Sequence, residues 1–438
     1  MLSVLANRTY RHLFAAQVIA LVGTGLATVA LGLLAWDIAG DRAGIVLGTA
    51  LAIKMIAYVT LAPIASALAD RVPRRAMLVA LDLCRAIVAL ALPFVTEAWQ
   101  VYLLIFLLQA ASAGFTPTFQ ATIPDVLPGE ADYTRALSLS RLAYDLENLA
   151  SPMLAAALLT MVSFPVLFGG TVIGFLASAA LVMTVTLPTA VPGPPRSIWD
   201  RTTRGLRLYL ATPRLRGLLA LNLAVSAAGA MVIVNTVVIV QAGFGLAETE
   251  VALALAAFGG GSVVAALALP RLLDHVPDRP AMLWGSGLLV AGMALGPLVG
   301  SFTALIALWL ALGFGYSLVQ TPAGRLLRRS ALPDDRPAIF AAQFSLSHAA
   351  WLLTYPLAGW MGAELGLDAT FLVMASLAGA GVVAALTFWP SIEEEARSHT
   401  HPDLAPEHPH LQEHGTADHR HAVMVNDLHR HWPHIGGR

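Results

Sequence analysis

Residues 68 to 75 read Leu68-Ala69-Asp70-Arg71-Val72-Pro73-Arg74-Arg75, and 204 positions later the chain reads Leu272-Leu273-Asp274-His275-Val276-Pro277-Asp278-Arg279. Each octet leaves one long apolar stretch through a charged turn and enters another. A second match, at offsets of 204 to 205, sets Thr116-Pro117, Leu127-Pro128, Ser140 and Pro152 beside Thr321-Pro322, Leu332-Pro333, Ser345 and Pro356. Two independent matches at one spacing indicate two related halves running in the same direction. Such halves place a solute path at their interface, near the bilayer midplane.

Outward from these turns the chain is apolar. Of its 438 residues 57% are hydrophobic and 12% charged, against about 25% charged in an ordinary soluble domain, and the mean hydropathy is +0.71. A soluble enzyme is excluded. Apolar stretches bounded by charge, proline or glycine cover 13–36, 44–68, 76–95, 100–122, 136–162, 165–187, 216–241, 249–273, 280–299, 301–322, 338–363 and 368–389. At roughly 20 residues per span, twelve spans take about 240 residues. The first stretch, behind Arg8, Arg11 and His12, exceeds the about 7–15 apolar residues of a signal-peptide core and reads as a span. The predicted fold is an all-α membrane protein of twelve transmembrane helices in two pseudo-repeated six-helix halves. The predicted parts are an N-terminal half (1–187), a Pro-rich linker (188–215), a C-terminal half (216–390) and a disordered tail (391–438).

Orientation follows from arginine, which is retained on the inner side. With the N-terminus inside, the inward segments hold Arg71, Arg74, Arg75, Arg135, Arg201, Arg204, Arg325, Arg328, Arg329 and Arg336 among others, and the outward loops hold Arg42 alone. Both termini are therefore expected in the cytoplasm, with the protein in the cell's inner membrane. Lys54 is the one lysine, and Cys84 the one cysteine, so neither a disulfide framework nor a thiolate metal site can form. No nucleic-acid partner, cofactor or stable oligomer is expected. Enzyme signatures such as His-Glu-x-x-His or a nucleophile elbow are absent from the sequence.

Ionisable groups at bilayer depth cost at least about 2.5 kcal/mol on insertion scales and need a partner or a role. The fifth span holds Arg141, Asp145, Glu147 and Asn148, and the eleventh holds His348 at the depth that the repeat offset assigns to residues 143 and 144. Asp145 and His348 are candidates to face one another across the cavity. Carboxylate, amide and imidazole together suit a borderline divalent cation or a proton relay. Alternatively Arg141, four positions from Asp145, locks it in a structural network. Lys54 is either a counter-charge to Asp145 or Glu147 or snorkels to the surface. Gln17, Gln109, Asn222, Asn235, Gln241 and Gln320 are polar positions that could line the path or bridge helices. Gly259-Gly260-Gly261, followed by no lysine or helix start, reads as close helix packing.

Residues 66 to 75, from Ser66 to Arg75, resemble the G-x-x-x-D-R-x-G-R-R loop of the major facilitator superfamily, with Ser66 and Pro73 in place of two glycines. The pattern is most similar to the bacterial efflux branch. The resemblance implies a charge clamp on one face of the bundle, made by Asp70, Arg71, Arg74 and Arg75 and extended by Asp82 and Arg85, three positions apart. Topology signalling alone would also account for these charges. The glycine series ending in Gly-Pro that marks antiporters of that superfamily survives only as Ser151-Pro152, so export does not follow from it.

The tail is the other specific signal. Ten of the thirteen histidines lie in it: His399, His401, His408, His410, His414, His419, His421, His429, His431 and His434, eight of them in His-x-His pairs. Residues two apart in an extended chain share a face, and imidazole suits nickel, cobalt, zinc and copper(II). Asp403, Glu407, Glu413 and Asp418 could complete such shells. An inert low-complexity tail is the alternative. A superfamily body with a histidine-rich tail resembles bacterial nickel and cobalt resistance exporters, which implies a proton-driven exporter of a divalent metal. Two further readings stay open: an exporter of drugs or siderophores with a metal-responsive tail, and a metal-buffering membrane protein without transport.

Overall fold

The computed structural model describes residues 2–39, 43–69, 72–188, 197–391, 397–400, 411–412, 418–421, 424–429 and 432. The first half is α1 (Arg8–Ala39), α2 (Ala43–Ala69), α3 (Arg74–Ala91), α4 (Ala98–Val126), α5 (Glu130–Leu159) and α6 (Phe164–Met183). A shorter helix, α7 (Ile198–Ala211), leads into the second half: α8 (Pro213–Val237), α9 (Glu248–Leu272), α10 (Asp278–Leu295), α11 (Phe302–Arg329), α12 (Arg336–Glu364) and α13 (Leu367–Phe388).

Among the described residues, ten of the twelve long helices are apolar and long enough to cross a membrane. The other two, α5 and α12, run to 30 and 29 residues and are the ones diluted by Arg141, Asp145, Glu147 and His348. The predicted spans thus recur as helices, with differences at the charged ends. Helix α5 begins at Glu130 rather than near 136, and α11 runs to Arg329 rather than 322, because the added turns hold side chains that bridge the halves.

Packing repeats as the sequence does. Helix α1 packs on α6, α2 on α4 and α3 on both α4 and α6; α8 packs on α13, α9 on α11 and α10 on both α11 and α13. Close approach carries the second set. A Cβ at Gly261 would collide with the Leu310 carbonyl of α11, and one at Gly313 with the Phe258 carbonyl of α9, so of the triple glycine Gly261 serves packing, while Gly260 faces open space. The halves meet along α2–α12 and its repeat counterpart α5–α9, and along α4–α12 and its counterpart α5–α11.

The linker's clustered prolines lie outside the described residues, and the basic stretch that follows them forms α7. Ser197 caps α7 by accepting from the Asp200 amide at 3.2 Å, and Arg204, Leu208 and Tyr209 are buried while Trp199 and Arg207 face out. This amphipathic helix packs on α12 and α2.

The described parts of the tail also depart from the expected disorder. Strands β1 (Arg397–Thr400) and β2 (Asp418–His421) pair antiparallel, with His399 opposite His419 and Arg397 opposite His421. Beyond them Val425 is buried with the second half's core, and Trp432 packs against the same core. Asn426 closes the turn by accepting from the amides of Leu428 at 2.9 Å and His429 at 2.7 Å. Two apolar side chains, Val425 and Trp432, are what a wholly polar tail would lack.

Candidate functional site

At the end of the bundle where α3, α11 and α12 bring their arginines, the halves are joined by shared ion pairs. In the first half Arg74, opening α3, meets Asp125 near the end of α4 at 2.5 Å, and Asp125 also pairs with Arg336 at the start of α12. In the second half Asp278, opening α10, meets Arg329 at the end of α11 at 3.1 Å and Arg325 at 3.3 Å. Arg325 crosses to Glu130 at the start of α5 at 2.6 Å. Arg328 donates to the Pro128 carbonyl and lies over the Tyr133 ring at 5.3 Å. The Tyr133 hydroxyl donates to the Gly324 carbonyl at 3.2 Å. This end of the interface is closed.

The linker and tail join the same end. Arg204 of α7 pairs with Asp335, which precedes α12, and with Asp427 of the tail at 2.7 Å. Burial works against the Arg204 charge, but hydrogen bonds to Asp335 and Asp427 outweigh it and hold the guanidinium pKa above its ordinary value. Arg214 lies 5.5 Å over the Trp432 ring.

Deeper in the interface two seams carry the polar side chains. On the α5–α9 seam the Ser262 hydroxyl donates to Asp145 Oδ2 at 2.6 Å, Arg141 pairs with Asp145, and Arg141 sits 4.9 Å from the Tyr316 ring of α11. On the α2–α12 seam His348 packs its ring 4.7 Å from Tyr58 and 4.2 Å from Phe344, with Nδ1 2.7 Å from the Phe344 carbonyl. Tyr58 donates to Gln109 of α4 at 2.7 Å, and the Ser345 hydroxyl donates to the Val59 carbonyl at 2.5 Å. Lys54 lies 5.7 Å from the Tyr58 ring and interacts electrostatically with both Glu147 and His348. Helix α1 passes close by, since a Cβ at Gly25 would collide with Ser151 and lie 3.3 Å from Glu147 Oε1.

The expected site is therefore rearranged. Asp145 does not pair with His348; it is held by Arg141 and Ser262 on the opposite seam, because an arginine one turn away satisfies a buried carboxylate at less cost than an imidazole across the interface. Glu147 and His348 instead both lie within electrostatic range of Lys54 on α2. The Asn148 side chain lies outside the described residues. Tyr58, Ser262 and Tyr316 were not singled out by sequence reasoning, since a lone hydroxyl in an apolar span carries no signal of its own.

The charge clamp is also redrawn. Asp70 and Arg71 lie outside the described residues, Arg75 is exposed and Arg74 pairs as above. Asp82 and Arg85 form their pair, but roughly 12–16 Å further along α3. There Asp82 accepts from Ser178 at 2.8 Å and Arg85 lies between the rings of Phe115 and Phe175, 4.0 and 4.4 Å away. They cross-link α3, α4 and α6 within one half and are not part of the clamp, because aromatic faces hold the guanidinium there. In the tail, His401, His408, His410, His414, His431 and His434 lie outside the described residues; His399, His419 and His421 are placed by their backbone, and His429 is buried.

Among the described residues twelve long helices form two repeats that meet along paired seams, and the model of the Major Facilitator Superfamily matches the chain twice, over residues 13–227 and 218–432. The chain belongs to the major facilitator superfamily. Another superfamily protein, the uncharacterized MFS-type transporter YfiS of Bacillus subtilis (strain 168), is 22% identical over 344 residues, 73% of this chain and 78% of the relative. The fold is shared with the crystal structure of the human organic anion transporter MFSD10 (TETRAN), with a TM-score of 0.76 and 14% identity over 86% of this chain and 99% of that one. This superfamily member is thus a multi-pass membrane transporter. In it the ends of α4 and α11 and the starts of α5 and α12 are bridged by ion pairs and hydrogen bonds at one end of the interface.

Proposed function

We propose that this protein is a proton-coupled exporter of a divalent transition metal ion, nickel or cobalt foremost, in the cell's inner membrane with its arginine-rich end and both termini in the cytoplasm. The positive-inside rule supports that orientation. The observation that carries the metal reading is the register of the tail ribbon. Residues directly opposite in an antiparallel pair share a face, and the next pair but one returns to it. The pairs His399–His419 and Arg397–His421 therefore set three histidines on one face, with further histidines on either side in sequence. Neutral imidazoles in that number suit nickel, cobalt or zinc.

Within the body, Glu147 is the carboxylate left for solute or proton. Asp145 is neutralised by Arg141, whereas Glu147 has no ion pair among the described residues and feels Lys54, which also acts on His348. A cation and a proton compete for the Glu147 carboxylate, since either one neutralises the charge that Lys54 attracts, so ion and proton exclude one another. The tail gathers metal beside the gate, and the ion leaves on the far side once the ion pairs of Asp125, Asp278 and Glu130 have closed behind it.

A second reading, export of an organic solute, is favoured by the aromatic setting of His348 among Tyr58 and Phe344. It is also favoured by the absence, among the described residues, of any group of three His, Cys, Asp or Glu side chains converging on one point. Sealed vesicles containing the full chain, loaded with a pH-sensitive dye and given a pH gradient, separate the readings. Nickel or cobalt accumulation with matching proton flux, lost in Glu147→Gln, supports metal transport. Metal held on the outside with no flux identifies a buffering protein, and proton flux evoked only by organic cations or anions selects the second reading.

A further inference from the structure

Between the halves at the arginine-rich end lies a cavity of about 140 Å³ lined by Glu130, Tyr133, Arg325, Arg328, Arg329 and Arg336. We propose that it binds a phosphate-type oxyanion, free in solution or as a lipid headgroup, and that the bound anion latches the gate shut. This holds whichever solute the protein carries.

Four guanidiniums and one carboxylate line the space. The carboxylates that reach these arginines from outside the lining, Asp125 and Asp278, are each already divided between two guanidiniums. Arg328 has no carboxylate partner among the described residues; it meets the Pro128 carbonyl and the Tyr133 ring. The Nε–H of Arg336 is buried and has no acceptor among the described residues. A buried donor without an acceptor is costly, the more so when charged. The remedy is an acceptor-rich anion. Guanidinium forks match the edges of a tetrahedral oxyanion two bonds at a time. The cavity far exceeds the about 10–15 Å³ that a single water needs, so it has room for phosphate with its water.

The walls come from both halves: Glu130 and Tyr133 from α5, the arginines from α11 and α12. Opening the gate pulls them apart, so the anion binds the closed state and not the open one. Its binding then favours closure by mass action.

The test uses the full chain in neutral detergent, stripped of lipid, with inorganic phosphate titrated against chloride at matched ionic strength while thermal unfolding is followed. The expected result is a saturable rise of the midpoint with phosphate alone, weakened at least tenfold in apparent affinity by Arg328→Gln. Nanodiscs of phosphatidylcholine with and without phosphatidylglycerol distinguish the sources. A headgroup occupant makes phosphatidylglycerol raise the midpoint and abolish the phosphate response; a free anion leaves the phosphate response equal in both discs. Should Arg328→Gln not accumulate, Glu130→Gln replaces it and must tighten phosphate binding several-fold by removing the repelling carboxylate. The proposal is overturned if wild type distinguishes neither phosphate from chloride nor one lipid from the other, if Arg328→Gln retains the full response, or if Glu130→Gln leaves phosphate affinity unchanged or weaker.

Discussion

Arg74 and Asp278 hold the same place in the two halves with opposite charge. Each stands in the first turn of its helix, 204 positions apart, and each pairs with a residue 51 positions on, Arg74 with Asp125 and Asp278 with Arg329. The ion pair was kept through the repeat while its polarity was reversed. Reversal puts a carboxylate near the end of α4 and arginines near the end of α11, and opposite charges then face one another across the interface as Asp125–Arg336 and Glu130–Arg325.

Sharing makes the two members of the pair unequal. Asp125→Asn removes partners from both Arg74 and Arg336, whereas Arg74→Gln frees Asp125 to serve Arg336 alone. Breaking a buried pair from the carboxylate side costs about 3–5 kcal/mol, and even 1.4 kcal/mol is a tenfold shift in a two-state equilibrium. Thiol labelling of Leu137→Cys in a Cys84→Ser background, from the arginine-rich face, should rise at least tenfold in Asp125→Asn and less in Arg74→Gln. The exchange Arg74→Asp with Asp125→Arg should not restore protection, because the new arginine confronts Arg336.

Gly324 is where the closed gate leaves no room. A Cβ there would lie 2.6 Å from Leu137 and 2.9 Å from the Tyr133 hydroxyl. Gly324→Val is therefore expected to hold the gate ajar, raising the same labelling while the protein still inserts and purifies as a folded species. Labelling as slow as in wild type would mean the closed contact at Tyr133 is not the one that seals this end.

The two seams predict different losses. Ser262→Ala removes one hydrogen bond to a buried carboxylate that Arg141 still satisfies, a loss of about 1–3 kcal/mol, and should slow transport several-fold without changing which solute is carried. Glu147→Gln removes the carboxylate opposed by Lys54 and should abolish proton-coupled movement in vesicles. His348→Ala should reduce transport and leave tail metal binding intact.

Tail docking and tail metal binding are separable. The Arg204–Asp427 pair is half exposed and contributes up to about 1 kcal/mol, while Trp432 adds packing against the second half and an arginine contact. Asp427→Asn with Trp432→Ala should therefore loosen the tail, detected as faster hydrogen exchange in α7, without altering metal stoichiometry. Deleting 399–421 should do the reverse, lowering metal stoichiometry and leaving α7 protected.

The fold was legible because its signals are collective. Twelve apolar stretches, one repeat offset and the distribution of arginine each draw on dozens of residues, and the helices follow them to within a turn or two. The exceptions are α5 and α11, whose ends extend past the apolar stretch because Glu130, Arg325 and Arg328 find partners in the opposite half, which no local pattern reveals. The site was legible in part. Ionisable residues in an apolar span announce themselves by cost, so Asp145, Glu147 and His348 stood out. Which of them pair depends on helix rotation, and that depends on positions such as Gly25, Gly261 and Gly313 where backbones come close. Asp82 and Arg85 were read as clamp residues from their charge, but the rings of Phe115 and Phe175, far away in sequence, decide where that charge rests.

The most direct test of the account is the metal content of a metal-sensitive bacterial host expressing the full chain, read by mass spectrometry after growth in nickel, cobalt, zinc, iron or copper, with Glu147→Gln as the control. The account predicts resistance with several-fold lowered content of nickel or cobalt in the wild type and none in the control. Unchanged content of all five metals, with the protein present in the membrane, would contradict it.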